Sequence, residues 1–166
     1  SLFKAFPTMR KLSKATPDII IEYIKGVRGF IKKANWISEI ASLLKEDKNI
    51  PMTMSELTSL PGIGRKSANV IMREGGKKAE GVVVDLHVVR VANRLGIASD
   101  VKPDKLEKQI MEAIETKQWG EIGMALLFLG RDTCRPTDPT HSECIMKNNC
   151  SFYKSLTNKN TKNRIQ

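Results

Sequence analysis

Three groups of residues in this chain have types and spacings suited to chemistry. The first is Pro61-Gly62-Ile63-Gly64-Arg65-Lys66. Two glycines two positions apart permit positive φ and leave no Cβ to block a close approach, while amides of Gly62, Ile63 and Gly64 projecting from the start of a following helix favour an anion such as phosphate. Arg65 adds charge there. Lys66 places an amine beside the positive end of the helix dipole, and a neutral amine is a nucleophile. The second group is Asp85 with His87, inside VVVDLHVVRV. Asp is a preferred N-cap, so Asp85 reads as the cap of a helix from Leu86 to Leu95, and His87, two positions later, reads as structural rather than as an acid–base residue. The third is Cys134-x6-His141-x2-Cys144-x5-Cys150. Three thiols clustered near one end suit a metal site in a reducing compartment better than a disulfide framework.

The elements that must position these groups are helical. Leu57 and Leu60 close a short apolar turn before the glycines, and Ala68, Val70 and Ile71 continue the pattern after them. The segment therefore reads as helix, tight hairpin, helix, with Thr53 capping the first helix and Pro61 ending it by withholding an N–H. Pro-Gly-x-Gly is also the ordinary signature of a turn between two packed helices. Upstream, Thr8 to Ala15 is a short helix, Thr16-Pro17-Asp18 starts another, and a longer helix runs from about Phe30 to Glu46 with Ile31, Ala34, Ile37, Ile40, Ala41 and Leu44 at helical spacing. Lys25, Arg28, Lys32 and Lys33 cluster around its start, as either a solvated face or a contact to a nucleic-acid backbone.

Downstream, the charged and glycine-rich Glu74 to Lys78 is the candidate domain boundary. Gly81 to Val84, which out of context would be a strand, reads as a buried extended approach to Asp85. Val88, Val89, Val91 and Ala92 then form the buried face of a helix that Gly96 stops. Pro103 opens a helix through about Thr116, and Trp119 to Arg131 is an apolar one. Nothing requires a pair of strands. From Thr157 the chain is low in complexity and reads as a frayed basic tail.

Charge narrows the partner class. The 28 Lys and Arg outnumber the 18 Asp and Glu for a net +10, which favours a polyanion. No apolar run reaches the ~18 residues needed to span a bilayer, and no strongly amphipathic basic helix is evident, so nucleic acid is preferred over membrane. With 40% hydrophobic residues but only 5% aromatics, aliphatic side chains must do most of the packing.

LPGIGRKSANVI resembles the helix-hairpin-helix of the endonuclease III family of DNA glycosylases, and VVVDLHVVRVANRLGI and the Cys-rich segment follow in the family's order, so the resemblance covers roughly Leu2 to Tyr153. It implies an all-α fold of two lobes. Residues 1–80 would form a barrel-like lobe ending in the hairpin, residues 81–153 a lobe carrying Asp85 and the Cys/His loop, and residues 154–166 the tail. Relatives carry further helices before Ser1, which implies a chain truncated at that end.

The activity implied is that of a bifunctional DNA glycosylase and apurinic/apyrimidinic lyase acting on oxidised pyrimidines. Gly62, Ile63, Gly64 and Arg65 would hold the DNA backbone, Lys66 would attack C1′ and form a Schiff base, and Asp85 would stabilise the cationic sugar. The base would be flipped out of the duplex to be reached. Cys134, His141, Cys144 and Cys150 stand where the family holds a [4Fe-4S] cluster, except that His141 replaces the second cysteine. Histidine can ligate iron in clusters, Cys3His is also an ordinary zinc set, and a loop that has lost its metal is a third possibility. The expected partner is damaged double-stranded DNA and not a membrane, bound by a monomer in the reducing cytoplasm or nucleoid. A mismatch-specific glycosylase and a non-catalytic helix-hairpin-helix module are the rival readings.

Overall fold

Helix starts and stops in this chain are written in short local signals, and most of them are used. The structure, a computed structural model, describes residues 1–162, with side chains through Thr157. All its regular structure is helical, with no strand among the described residues. The helices are α1 (Leu2–Ala5), α2 (Met9–Leu12), α3 (Pro17–Ile24), α4 (Phe30–Leu44), α5 (Met54–Ser59), α6 (Arg65–Glu74), α7 (Leu86–Leu95), α8 (Pro103–Ala113), α9 (Trp119–Asp132) and α10 (Ser151–Lys162). None of the described helices is long and apolar enough to cross a membrane.

The chain divides into two compact units, Ser1–Ala68 and Asn69–Gln166. In the first, α3 and α4 pack together around Ala15, Ile20 and Ala34, with Leu12, Ile24 and Ile37 against them. Thr8 caps α2 by accepting from the Lys11 amide, and Thr53 caps α5 by accepting from the Glu56 amide. Thr16 sits at the N-cap of α3 without making a side-chain cap bond. The long helix stops at Leu44, two residues before the expected Glu46, because Lys45 turns to φ 62° and Asn49 donates to the Leu44 carbonyl at 2.7 Å. Glu46 is then free to pair with Lys48 and Arg10, at 2.9 and 2.7 Å, and hydrogen bonds from these two cations, Lys48 first, hold its carboxyl below the usual range.

In the second unit the extended run Val82–Val84 is buried without pairing to a strand. Val82 and Val84 join Val88, Val91 and Ala92 of α7, Leu106 and Ile110 of α8, and Leu126 of α9 in one core. Burying each Leu, Ile or Val side chain contributes about 1.5–3 kcal/mol. The close approach of α9 depends on Gly123, where a Cβ would stand 2.5 Å from the Val83 carbonyl oxygen and 2.9 Å from its nitrogen. Because these neighbours are backbone, Gly123→Ala is expected to destabilise the protein by about 1–3 kcal/mol in denaturant unfolding. Gly120→Ala is the control. Its Cβ would meet only Ala79 at 3.7 Å, and the gain in helix propensity should leave stability unchanged or slightly higher.

Two sequence expectations change. The division falls between Ala68 and Asn69 rather than near residue 80, because the later half of α6 packs with the second unit. There, Met72 and Asn69 are buried and the Asn69 amide lies 3.4 Å from Glu107 on α8. The expected frayed tail is also helical through Lys162, while residues 163–166 lie outside the described residues. Its start is held by Ser151, whose hydroxyl donates to the Leu95 carbonyl at 3.1 Å.

Candidate functional site

Leu60-Pro61-Gly62-Ile63 closes as a β-turn, with the Ile63 amide donating to the Leu60 carbonyl at 3.2 Å. Proline second and Gly62 third, at φ 72°, are the residues a type II turn requires. The Ile63 amide is thus engaged inside the hairpin, and of the two glycines only Gly62 takes up the positive φ that both permit. The Gly62 and Gly64 amides make no hydrogen bond among the described residues and remain available. A Cβ on Gly62 would lie 2.3 Å from the Trp36 ring, so the indole is seated directly on the turn. Gly62→Ala therefore combines a strained φ, costing about 1–2 kcal/mol, with displacement of a rigid ring. It should weaken both stability and any DNA binding, read by thermal unfolding and fluorescence anisotropy.

Arg65 and Lys66 occupy the first turn of α6, both exposed. The Lys66 amine has no ion pair among the described residues, so nothing in its own unit ties it down.

Asp85 stands at the N-cap of α7 at the end of the buried valine run. Its Oδ1 accepts from the His87 amide at 2.8 Å and the Val88 amide at 3.0 Å. Both cap bonds go to one oxygen. Oδ2 makes no hydrogen bond among the described residues, so a half-buried carboxylate can cap its helix and still present an acceptor. His87 is engaged elsewhere, accepting at Nδ1 from Arg90 at 3.2 Å.

Cys134, His141, Cys144 and Cys150 line one cavity, closed by Leu95, Leu129, Phe152 and Tyr153. The His141 ring lies 5.3 Å from Tyr153 and 5.9 Å from Phe152, centroid to centroid. Among the described residues no three His, Cys, Asp or Glu side chains converge as ligands of a single ion. Zinc takes four such donors about 2.0–2.3 Å from one atom, and in an iron–sulfur cluster each iron takes its own ligand, so a cavity lined by three thiols and an imidazole offers donors of the kind either uses.

Sequence reasoning missed the residues that hold this loop in place. Arg90 donates to the Gly130 carbonyl at 2.8 Å and the Cys134 carbonyl at 3.1 Å. Arg94 donates to the Arg135 carbonyl at 2.8 Å and to the Cys134 sulfur at 3.4 Å, and stacks on Phe152 at 4.8 Å. The signal in the sequence was two arginines four residues apart on one side of a helix whose opposite side is apolar. Asp85 and the Cys/His loop are thus joined through one element, α7.

Residues 1–116 match the HhH-GPD superfamily of base excision DNA repair proteins. The chain is 35% identical to endonuclease III of Thermotoga maritima over 99% of its own length and 78% of that protein's, and 33% identical to endonuclease III of Rickettsia felis over 93% and 73%. Its structure is similar to that of a trapped covalent endonuclease III–DNA intermediate, with a TM-score of 0.83 at 28% identity over 94% of this chain and 74% of that one. A hairpin with uncommitted glycine amides, an amine in the next helical turn, a carboxylate capping α7 and a Cys3His-lined cavity thus occur in a chain that belongs to the endonuclease III family of the HhH-GPD superfamily of base excision DNA repair proteins.

Proposed function

We propose that this protein is a bifunctional glycosylase and apurinic/apyrimidinic lyase that removes oxidised pyrimidines from duplex DNA. The observation that carries the reading is the unpaired Lys66 amine in the first turn of a helix whose preceding turn offers free Gly62 and Gly64 amides. With Arg65 beside them, the amides bind the backbone, and the amine is available to react.

Lys66 Nζ attacks C1′ of the flipped nucleotide. The C1′–N bond breaks, its electron pair leaves with the base, and the base takes up a proton. Asp85 Oδ2 stabilises the positive charge that develops on the sugar as that bond lengthens. Breaking of the C1′–O4′ bond, with O4′ taking up a proton that Nζ gives up, opens the sugar ring and leaves a Schiff base between Nζ and C1′. Loss of a proton from C2′ then expels the 3′ phosphate by breaking the C3′–O bond. Family membership supports this substrate class, and single-turnover assays test it. Duplexes carrying an oxidised pyrimidine should lose the base and be cut. Release of thymine or uracil from a mismatch with guanine, leaving the strand intact, would instead support the mismatch-specific alternative.

Cys134, His141, Cys144 and Cys150 are the residues that would hold a [4Fe-4S] cluster. Bound there, it would serve as a structural clamp on the loop, since no step above transfers an electron. Arg94, donating to the Cys134 sulfur, and Phe152 and Tyr153, packed on His141, would hold these side chains in place for it. Anaerobically purified protein is expected to contain iron and sulfide, and His141→Cys should lengthen the lifetime of its visible absorbance in air several-fold. Protein without iron or sulfide, and with stability unchanged by chelator, would show a loop that stands on packing alone.

A further inference from the structure

Of the four cations around the start of α4, Lys25 is paired with Glu22 at 2.8 Å. Arg28, Lys32 and Lys33 are exposed and form no ion pair among the described residues. No acidic residue stands in the first turn of α4 itself. Lys32 differs from the others in being positioned. Its ammonium lies over the Trp36 ring, 4.9 Å from the centroid, and the same indole rests against Gly62 of the hairpin. The chain of contacts runs from a free ammonium through an aromatic plate to the turn whose amides are uncommitted.

The indole N–H makes no hydrogen bond among the described residues and is not enclosed. A cation held over a ring keeps its donors facing outward, because only one side of the ammonium is used by the π face.

We propose that Lys32, set in place by Trp36, is an additional phosphate contact that extends the hairpin's grip to a neighbouring phosphate of the same DNA backbone. The inference rests on the DNA-binding reading above and assigns a role to residues outside the hairpin motif. A freely solvated lysine attracts the polyanion only diffusely. One held over the Trp36 ring can displace a counterion from a defined phosphate when DNA binds.

The test is the salt dependence of binding to a duplex carrying a stable abasic-site analogue, measured on the full chain. Lys32→Gln should lower the slope of log Kobs against log salt by about 0.9, the value for one phosphate contact, and Lys32→Arg should keep the parent slope. Trp36→Leu should lower the slope like Lys32→Gln although no charge is removed, a result that diffuse attraction would not give. A parent slope in Lys32→Gln, alongside a reduced one in Arg65→Gln, would overturn the role of Lys32 and leave the hairpin reading standing. A parent protein with no salt-dependent binding would overturn both. Because Lys32 is exposed, its variants test the proposal even if Trp36→Leu fails to fold.

Discussion

Lys66→Ala is expected to abolish covalent trapping on abasic DNA in the presence of borohydride, which reduces a Schiff base to a stable amine. Strand cleavage should fall by at least about three orders of magnitude, the scale on which loss of a covalent nucleophile acts. Binding should change far less. The Gly62 and Gly64 amides and Arg65 remain in the variant, so affinity for an abasic analogue should stay within about a factor of ten of the parent's. Lys66 is exposed and makes no ion pair among the described residues, so removing it should leave the melting temperature unchanged. Trapping in Lys66→Ala at the parent level would move the nucleophile to another amine.

The second large effect separates two roles of one carboxylate. Asp85→Asn keeps a side-chain oxygen for the His87 and Val88 amides, and Asn caps helices about as well as Asp, so stability should hold within about 0.5 kcal/mol. Base excision should nevertheless fall by about 10²–10³-fold, the range for deleting one preorganised electrostatic group. Cleavage at a preformed abasic site should suffer less, since the glycosidic bond is already broken. Asp85→Ala adds the loss of the cap, about 1 kcal/mol. Excision at the parent rate by the Asn variant would reduce Asp85 to a cap.

The places of these two residues at helix starts were legible in the sequence because the features around them are local. A cap is made by a side chain and amides two and three residues on, and the stop at Gly96 by amides and carbonyls within one turn. The hairpin turn needs only proline and glycine in adjacent positions. Burial of the Val82–Val84 run also follows from composition, and its lack of strand pairing from the absence of a second β-rich segment.

Local signals therefore specified the helices through α9, the turn between α5 and α6, and the residue types available for chemistry, while α10 went unread. Only the tertiary structure decided which of these groups meet and which donors remain free. Arg90 and Arg94 reach carbonyls 40 to 44 positions away, and Asn69 reaches Glu107 across 38, distances at which periodicity carries no information. Trp36 against Gly62 is a matter of two surfaces fitting, and α6 divides between two packing units although its own residues form one continuous helix. The Ile63 amide shows the same limit on the smallest scale. Sequence counted it among three donors for phosphate, and the closed turn consumed it, because a buried or turn-bound N–H takes the nearest acceptor that geometry offers.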